Sequence, residues 1–71
     1  MLETLDDGSL IQIDLTHEVR EGEIIRHAVV YGVGFRLRKG SREAKEAYEA
    51  AEAVLSMFLC DRIGAIEVIT E

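Results

Sequence analysis

From Ile11 to Leu37 apolar side chains recur at every second position, and this alternation constrains the fold more than any other feature of the chain. Ile11, Ile13, Leu15, His17 and Val19 alternate with Gln12, Asp14, Thr16 and Glu18, the pattern of a strand with one buried face. After Arg20-Glu21-Gly22-Glu23 the alternation resumes with Ile25, His27, Val29, Tyr31, Val33, Phe35 and Leu37. Two long strands are therefore predicted, with Gly32 and Gly34 as the places where the second would bulge or bend. Upstream, Asp6-Asp7-Gly8 predicts a turn after a short strand at Leu2–Leu5, because Asp-Gly tolerates positive φ at both turn positions.

Strands that share a buried face must pair their apolar positions. Odd positions then oppose odd positions and their numbers sum to 44, setting Leu15 against Val29, Ile13 against Tyr31 and Ile11 against Val33. The same register sets His17 against His27 and leaves Asp14, Thr16, Ala28, Val30, Gly32 and Gly34 on the other face.

Gly40-Ser41 ends the alternation. Ser41 is a helix N-cap type, and Glu43 and Glu46 stand where carboxylates favour the positive end of a helix dipole. The spacing predicts a helix from about Arg42 to Ile63, with Ala44, Ala47, Tyr48, Ala51, Val54, Leu55, Phe58 and Leu59 on the core stripe and Gly64 as its stop. Ala65–Thr70 reads as a last short strand. The order is β-β-β-α-β: a single two-layer α+β domain over residues 1–71, with an antiparallel sheet of three to four strands and one long helix on one face.

A 71-residue chain buries only about 60% of the surface it exposes when unfolded, a thin margin for one copy. Its 48% hydrophobic content is nonetheless that of a folding chain. No apolar run is long enough to span a membrane, and residues 1–20 lack the basic start and apolar block of a secretory leader, so the expected compartment is the cytoplasm, with no membrane partner. Cys60 is the one cysteine and cannot staple the chain to itself. The net charge of −6 is uneven: residues 1–25 carry −6, residues 26–42 carry +5 and residues 43–71 carry −5.

Four features are candidate sites. His17 and His27, as cross-strand neighbours, could share a metal, but spacing supplies no third ligand and no metal or cofactor is assigned. Arg36, Arg38, Lys39 and Arg42 could hold phosphate with Phe35 stacking on a base; among fourteen acids, pairing within the molecule is the favoured use of these cations. Ala50, Ala53, Met57 and Cys60 would line the helix face away from the core, a stripe suited to a partner helix or groove with Met57 as an adaptable anchor. Glu46 and Glu49 flank that stripe and belong to an acidic surface that could steer a basic partner.

No spacing marks a catalytic group, since acid-base work needs a cleft that shifts pKa values and Cys60 lacks a paired histidine in its segment. The expectation is a non-enzymatic acidic interaction module that binds and regulates a larger basic, nucleic-acid-handling partner through Glu46, Glu49, Ala53, Met57 and Cys60. Small acidic inhibitors of such machines, including phage-encoded anti-CRISPR proteins and DNA mimics, share this physical type, although no residue motif carries the comparison. A nucleic-acid-binding module built on residues 36–42 and a homo-oligomeric structural or regulatory subunit are the alternatives.

Overall fold

A computed structural model of the chain describes residues Met1–Glu71. Its elements are β1 (Leu2–Thr4), β2 (Leu10–Arg20), β3 (Glu23–Gly32), α1 (Arg42–Leu55) and β4 (Arg62–Val68). The strands form one four-stranded sheet in the order β1-β2-β3-β4. The first three run antiparallel and β4 runs parallel to β3. The α+β class and the β-β-β-α-β order hold; the sheet is mixed, because the connection through α1 returns the chain in the direction of β3.

The β2–β3 register differs from the expected one by a residue. Ile11 pairs with Gly32, Ile13 with Val30, Leu15 with Ala28 and His17 with Arg26. The cause is the turn between them. Glu21 at φ 51 and Gly22 at φ 81 are both left-handed, the geometry of a two-residue hairpin loop that pairs Arg20 directly with Glu23. Odd positions of β2 therefore share a face with even positions of β3. The pattern misled because β3 is apolar on both faces, so Ala28 and Val30 are buried in the core rather than lying on the open face. The open face carries Asp14 and Thr16 beside His27, Val29 and Tyr31.

The core follows from that register. Ile11, Ile13, Ala28 and Val30 from the sheet meet Ala47, Ala51, Val54 and Leu55 from α1, with Leu5 and Leu37 packed into the same cluster. Leu37 lies beyond the end of β3, where it bridges in parallel to Thr70. At the helix start, Ser41 Oγ accepts the Ala44 N–H at 3.1 Å, satisfying one of the free amides there.

The helix stops at Leu55, well before Ile63. Ser56 Oγ donates to the Glu52 carbonyl at 2.8 Å, and the amides of Met57 and Phe58 donate to Val54 and Leu55, tightening the last turn. Beyond it the sheet claims the chain. Asp61 exchanges hydrogen bonds with Ile24, its N–H donating at 2.8 Å and its carboxylate accepting at 2.6 Å, and β4 begins at Arg62. Gly64 is thus not a helix stop but part of β4, where the β3–β4 register shifts. An added Cβ at Gly64 would overlap the His27 ring and come to 2.9 Å from the Ile25 side chain.

The 14 residues of α1 span about 21 Å, whereas the 11 residues of β2 span about 37 Å, close to the 39 Å long axis of the molecule. One helix therefore covers only part of the hairpin. Past its end Val19 is 67% exposed and Leu59, expected in the core, is 90% exposed. Phe58, also expected on the core stripe, lies past the end of α1 too, whereas Tyr48 is within α1 yet 43% exposed, so the helix buries Ala47, Ala51, Val54 and Leu55 against the sheet.

This separation is testable by chemical denaturation. Leu55→Ala is expected to cost about 2–5 kcal/mol, as a buried leucine truncation does, while Leu59→Ala stays within about 0.5 kcal/mol of the parent.

Candidate functional site

The β1–β2 turn brings acids from distant parts of the sequence together. Its loop, Asp6-Asp7-Gly8, is closed by the Gly8 N–H donating to Leu5 at 2.9 Å and the Leu5 N–H donating to Ser9 at 2.8 Å, with only Gly8 of the pair Asp7-Gly8 at positive φ. Asp7 in turn accepts the Ser9 N–H at 2.9 Å, which together with the Ser9 hydroxyl holds its carboxyl below the ordinary 3.8. The loop lies against the first turns of α1. Asp6, Asp7, Glu43 and Glu46 line one cleft with Arg42, and Thr4, Leu5, Asp6, Glu46, Glu49 and Ala50 line the adjoining one.

Glu46 is half-buried there, and a hydrogen bond with Asp6 pushes its carboxyl above the ordinary 4.5, with burial and the Asp6 charge adding to the effect. Two carboxyl groups in contact favour holding a proton between them. Glu46 therefore feels a like-charge repulsion there, which Arg42 offsets in part.

Of the expected partner-binding residues, the fold joins Glu46 and Glu49 to this cluster and separates the rest. Ala53 is exposed on α1. Met57 and Cys60 follow the helix rather than lying on it, so the stripe Ala50, Ala53, Met57, Cys60 does not form. Met57 is 74% exposed in the turn after Leu55, and Cys60 is half-buried and unpaired.

The basic segment stands beside the acidic cluster without neutralising it. Leu37 is buried and anchors the segment, and its neighbours Arg36 and Arg38 are exposed; they line a cleft with Asp7, Ser9, Phe35 and Glu43. The expected pairing with acids does not occur. The ion pairs of the fold are Arg20–Glu18 and Arg62–Glu23, and none uses Arg36, Arg38, Lys39 or Arg42.

The register also dissolves the histidine pair. His17 opposes Arg26 and His27 opposes Thr16, which puts the two rings on opposite faces of the sheet. His27 is fully engaged: Nδ1 accepts the Ala65 N–H at 2.9 Å, so the ring proton sits on Nε2, which donates to Glu18 at 3.2 Å. That bond, helped by the charge of Arg20, holds the Glu18 carboxyl below 4.5. No group of three or more His, Cys, Asp or Glu side chains is arranged to hold a metal.

Two features escaped the alternation argument. One is the contact of Asp6 with Glu46, which links residues far apart in sequence and carries no local signal. The other is the apolar content of the open face, where Leu2, Leu10 and Tyr31 are 59%, 42% and 37% exposed. Partial burial, and secondarily Asp14, pushes the Tyr31 phenol above 10.0. The two-residue spacing of Glu21-Gly22 was the signal that would have placed Tyr31 there.

A carboxyl whose pKa is raised on folding opposes the fold above that pKa and ceases to do so once protonated. Asp6→Asn or Glu46→Gln is therefore expected to raise the melting temperature at pH 7, with the gain fading as pH falls below the raised value and absent below the ordinary 4.5. Equal melting temperatures at pH 7 would show that the two carboxyls do not interact. Comparison of the chain with protein families, characterised proteins and solved structures returns no match.

Proposed function

We propose that the protein is a non-enzymatic acidic interaction module that docks on a larger, basic, nucleic-acid-handling protein and inhibits or regulates it. The observation that supports this reading is the cleft that gathers Asp6, Asp7, Glu43 and Glu46, in which Asp6 pushes the Glu46 carboxyl up. A cation from a partner placed between Asp6 and Glu46 would lower the repulsion that the free protein carries, so the cluster gains from a basic ligand. The same field speeds capture from a distance, in a salt-dependent way. Glu49 extends the surface along α1, whereas Ala53, Met57 and Cys60 lie away from it. Inhibitors of the anti-CRISPR and DNA-mimic kind share this physical type.

The unpaired state of Arg36, Arg38, Lys39 and Arg42 favours a second reading, in which those cations hold a nucleic-acid backbone and Phe35 borders the site. Phosphate binding at that segment would be weakened by Asp7 and Glu43 nearby.

The two readings separate in one pair of experiments. Affinity capture from the native cell extract at low and moderate salt is expected to enrich a nucleic-acid-processing protein with the parent chain and not with Asp6→Asn/Glu46→Gln/Glu49→Gln. Failure to enrich any such protein overturns the first reading. A gel shift at low salt that Arg36→Ala/Arg38→Ala abolishes would establish the second, and no shift would remove it.

A further inference from the structure

Most of β2 has a neighbour on one side only. β1 pairs with Leu10, Ile11 and Gln12 and stops there. The Met1 amine and carbonyl bond to Ile13, and past that point no strand of the fold pairs with the outer side of β2. In an antiparallel ladder successive residues direct their backbone groups to alternate sides. Leu10 accepts the Val33 N–H, so even positions of β2 face β3, while Ile13 faces Met1, so odd positions face outward. The N–H and C=O groups of Leu15, His17 and Val19 therefore form a bare edge.

Nothing in the fold blocks that edge. The chain has no proline, the register shift lies between β3 and β4, and α1 packs more closely on β3 and β4 than on β2. Exposed edges of this kind are normally shortened, bulged or covered, because they template pairing with another strand.

We propose that this edge pairs with the same edge of a second copy, antiparallel and two-fold symmetric, with His17 at the axis. The side chains along this edge complement themselves. With His17 opposite His17 of the second copy, Leu15 meets Val19 and Asp14 meets Arg20, each twice by symmetry. Thr16 meets Glu18. The apolar pair lies on the helix side, where α1 leaves Val19 67% exposed, and the ion pair lies on the open side. The two-fold pairs of Leu15, His17 and Val19 each exchange both backbone hydrogen bonds.

Neighbouring symmetric registers are disfavoured by charge. Centring the axis on Glu18 places two glutamates directly opposite each other, and centring it on Thr16 places Asp14 opposite Glu18. Of these three registers only the His17-centred one has no like-charged carboxylates in direct opposition; centring on Leu15 or Val19 also avoids them but leaves only three residues of β2 to pair, because Ile13 is bonded to Met1 and β2 ends at Arg20. The pairing joins two sheets into one of twice the width with both helices on the same side. It uses the end of the hairpin remote from Asp6 and Asp7, so it stands or falls independently of the proposed acidic docking surface.

Sedimentation equilibrium on the full chain at micromolar concentration is expected to give twice the 7.9 kDa chain mass. A monomer up to the sub-millimolar range overturns the proposal. Hydrogen exchange then locates the contact: the amides of Leu15, His17 and Val19 are expected to be protected at concentrations where the dimer forms and to exchange freely on dilution. A dimer in which those three exchange freely uses another surface and also overturns it. The register is read by charge exchange. Asp14→Arg or Arg20→Asp alone is expected to weaken dimerisation roughly tenfold, and Asp14→Arg/Arg20→Asp together to restore it. Equal dissociation constants for the single and double variants rule out the His17-centred register, and circular dichroism of each variant confirms that the fold is retained.

Discussion

The two-residue turn at Glu21-Gly22 is the constraint on which the rest of the molecule depends. Both residues occupy left-handed backbone conformations, easy for glycine and uncommon for glutamate. That geometry matches the twist of paired strands and joins Arg20 to Glu23 with no slack. Once this pair is set, every other pairing of β2 with β3 follows by counting. The turn decides which residues meet α1, which histidine meets Glu18, and which backbone groups of β2 point away from the sheet.

Much of the architecture was legible in the sequence. Alternation located β2 and β3, Ser41 located the start of α1, and Ala47, Ala51, Val54 and Leu55 were identified as core positions. The end of the helix was not legible, because Met57, Phe58, Leu59 and Cys60 continue an acceptable helical pattern. What stops α1 is tertiary: Asp61 is held against Ile24 and the next seven residues complete the sheet. Register failed for a related reason. On β3, Val29 and Tyr31 are as apolar as Ala28 and Val30, so hydrophobicity alone had no power to choose a face.

The site was legible as charge and not as geometry. The chain carries a basic segment between two acidic ones, and folding keeps them apart only partly. Asp6 and Asp7 from the first block reach Glu43 and Glu46 from the third, across a gap in sequence that no local rule bridges. Arg36 and Arg38 border the same end of the molecule through Asp7 and Glu43 yet remain outside any close ion pair. The surface is thus bipolar at short range, with an acidic cleft next to exposed guanidinium groups. A partner that engages the acids must present its own cations without meeting these, which favours a shaped, specific contact over diffuse attraction.

The spatial order β1-β2-β3-β4 repeats the order along the chain, and this has a kinetic meaning. The first two pairings close through short turns and involve contacts between near neighbours in sequence. The β3–β4 pairing is different, since it closes a loop that contains the whole helix and must wait for both of its sides. Contacts of this long range dominate the entropic barrier to folding. The meander of β1, β2 and β3 can therefore assemble as a local unit, whereas α1 and β4 are expected to add to it together as the slow cooperative step.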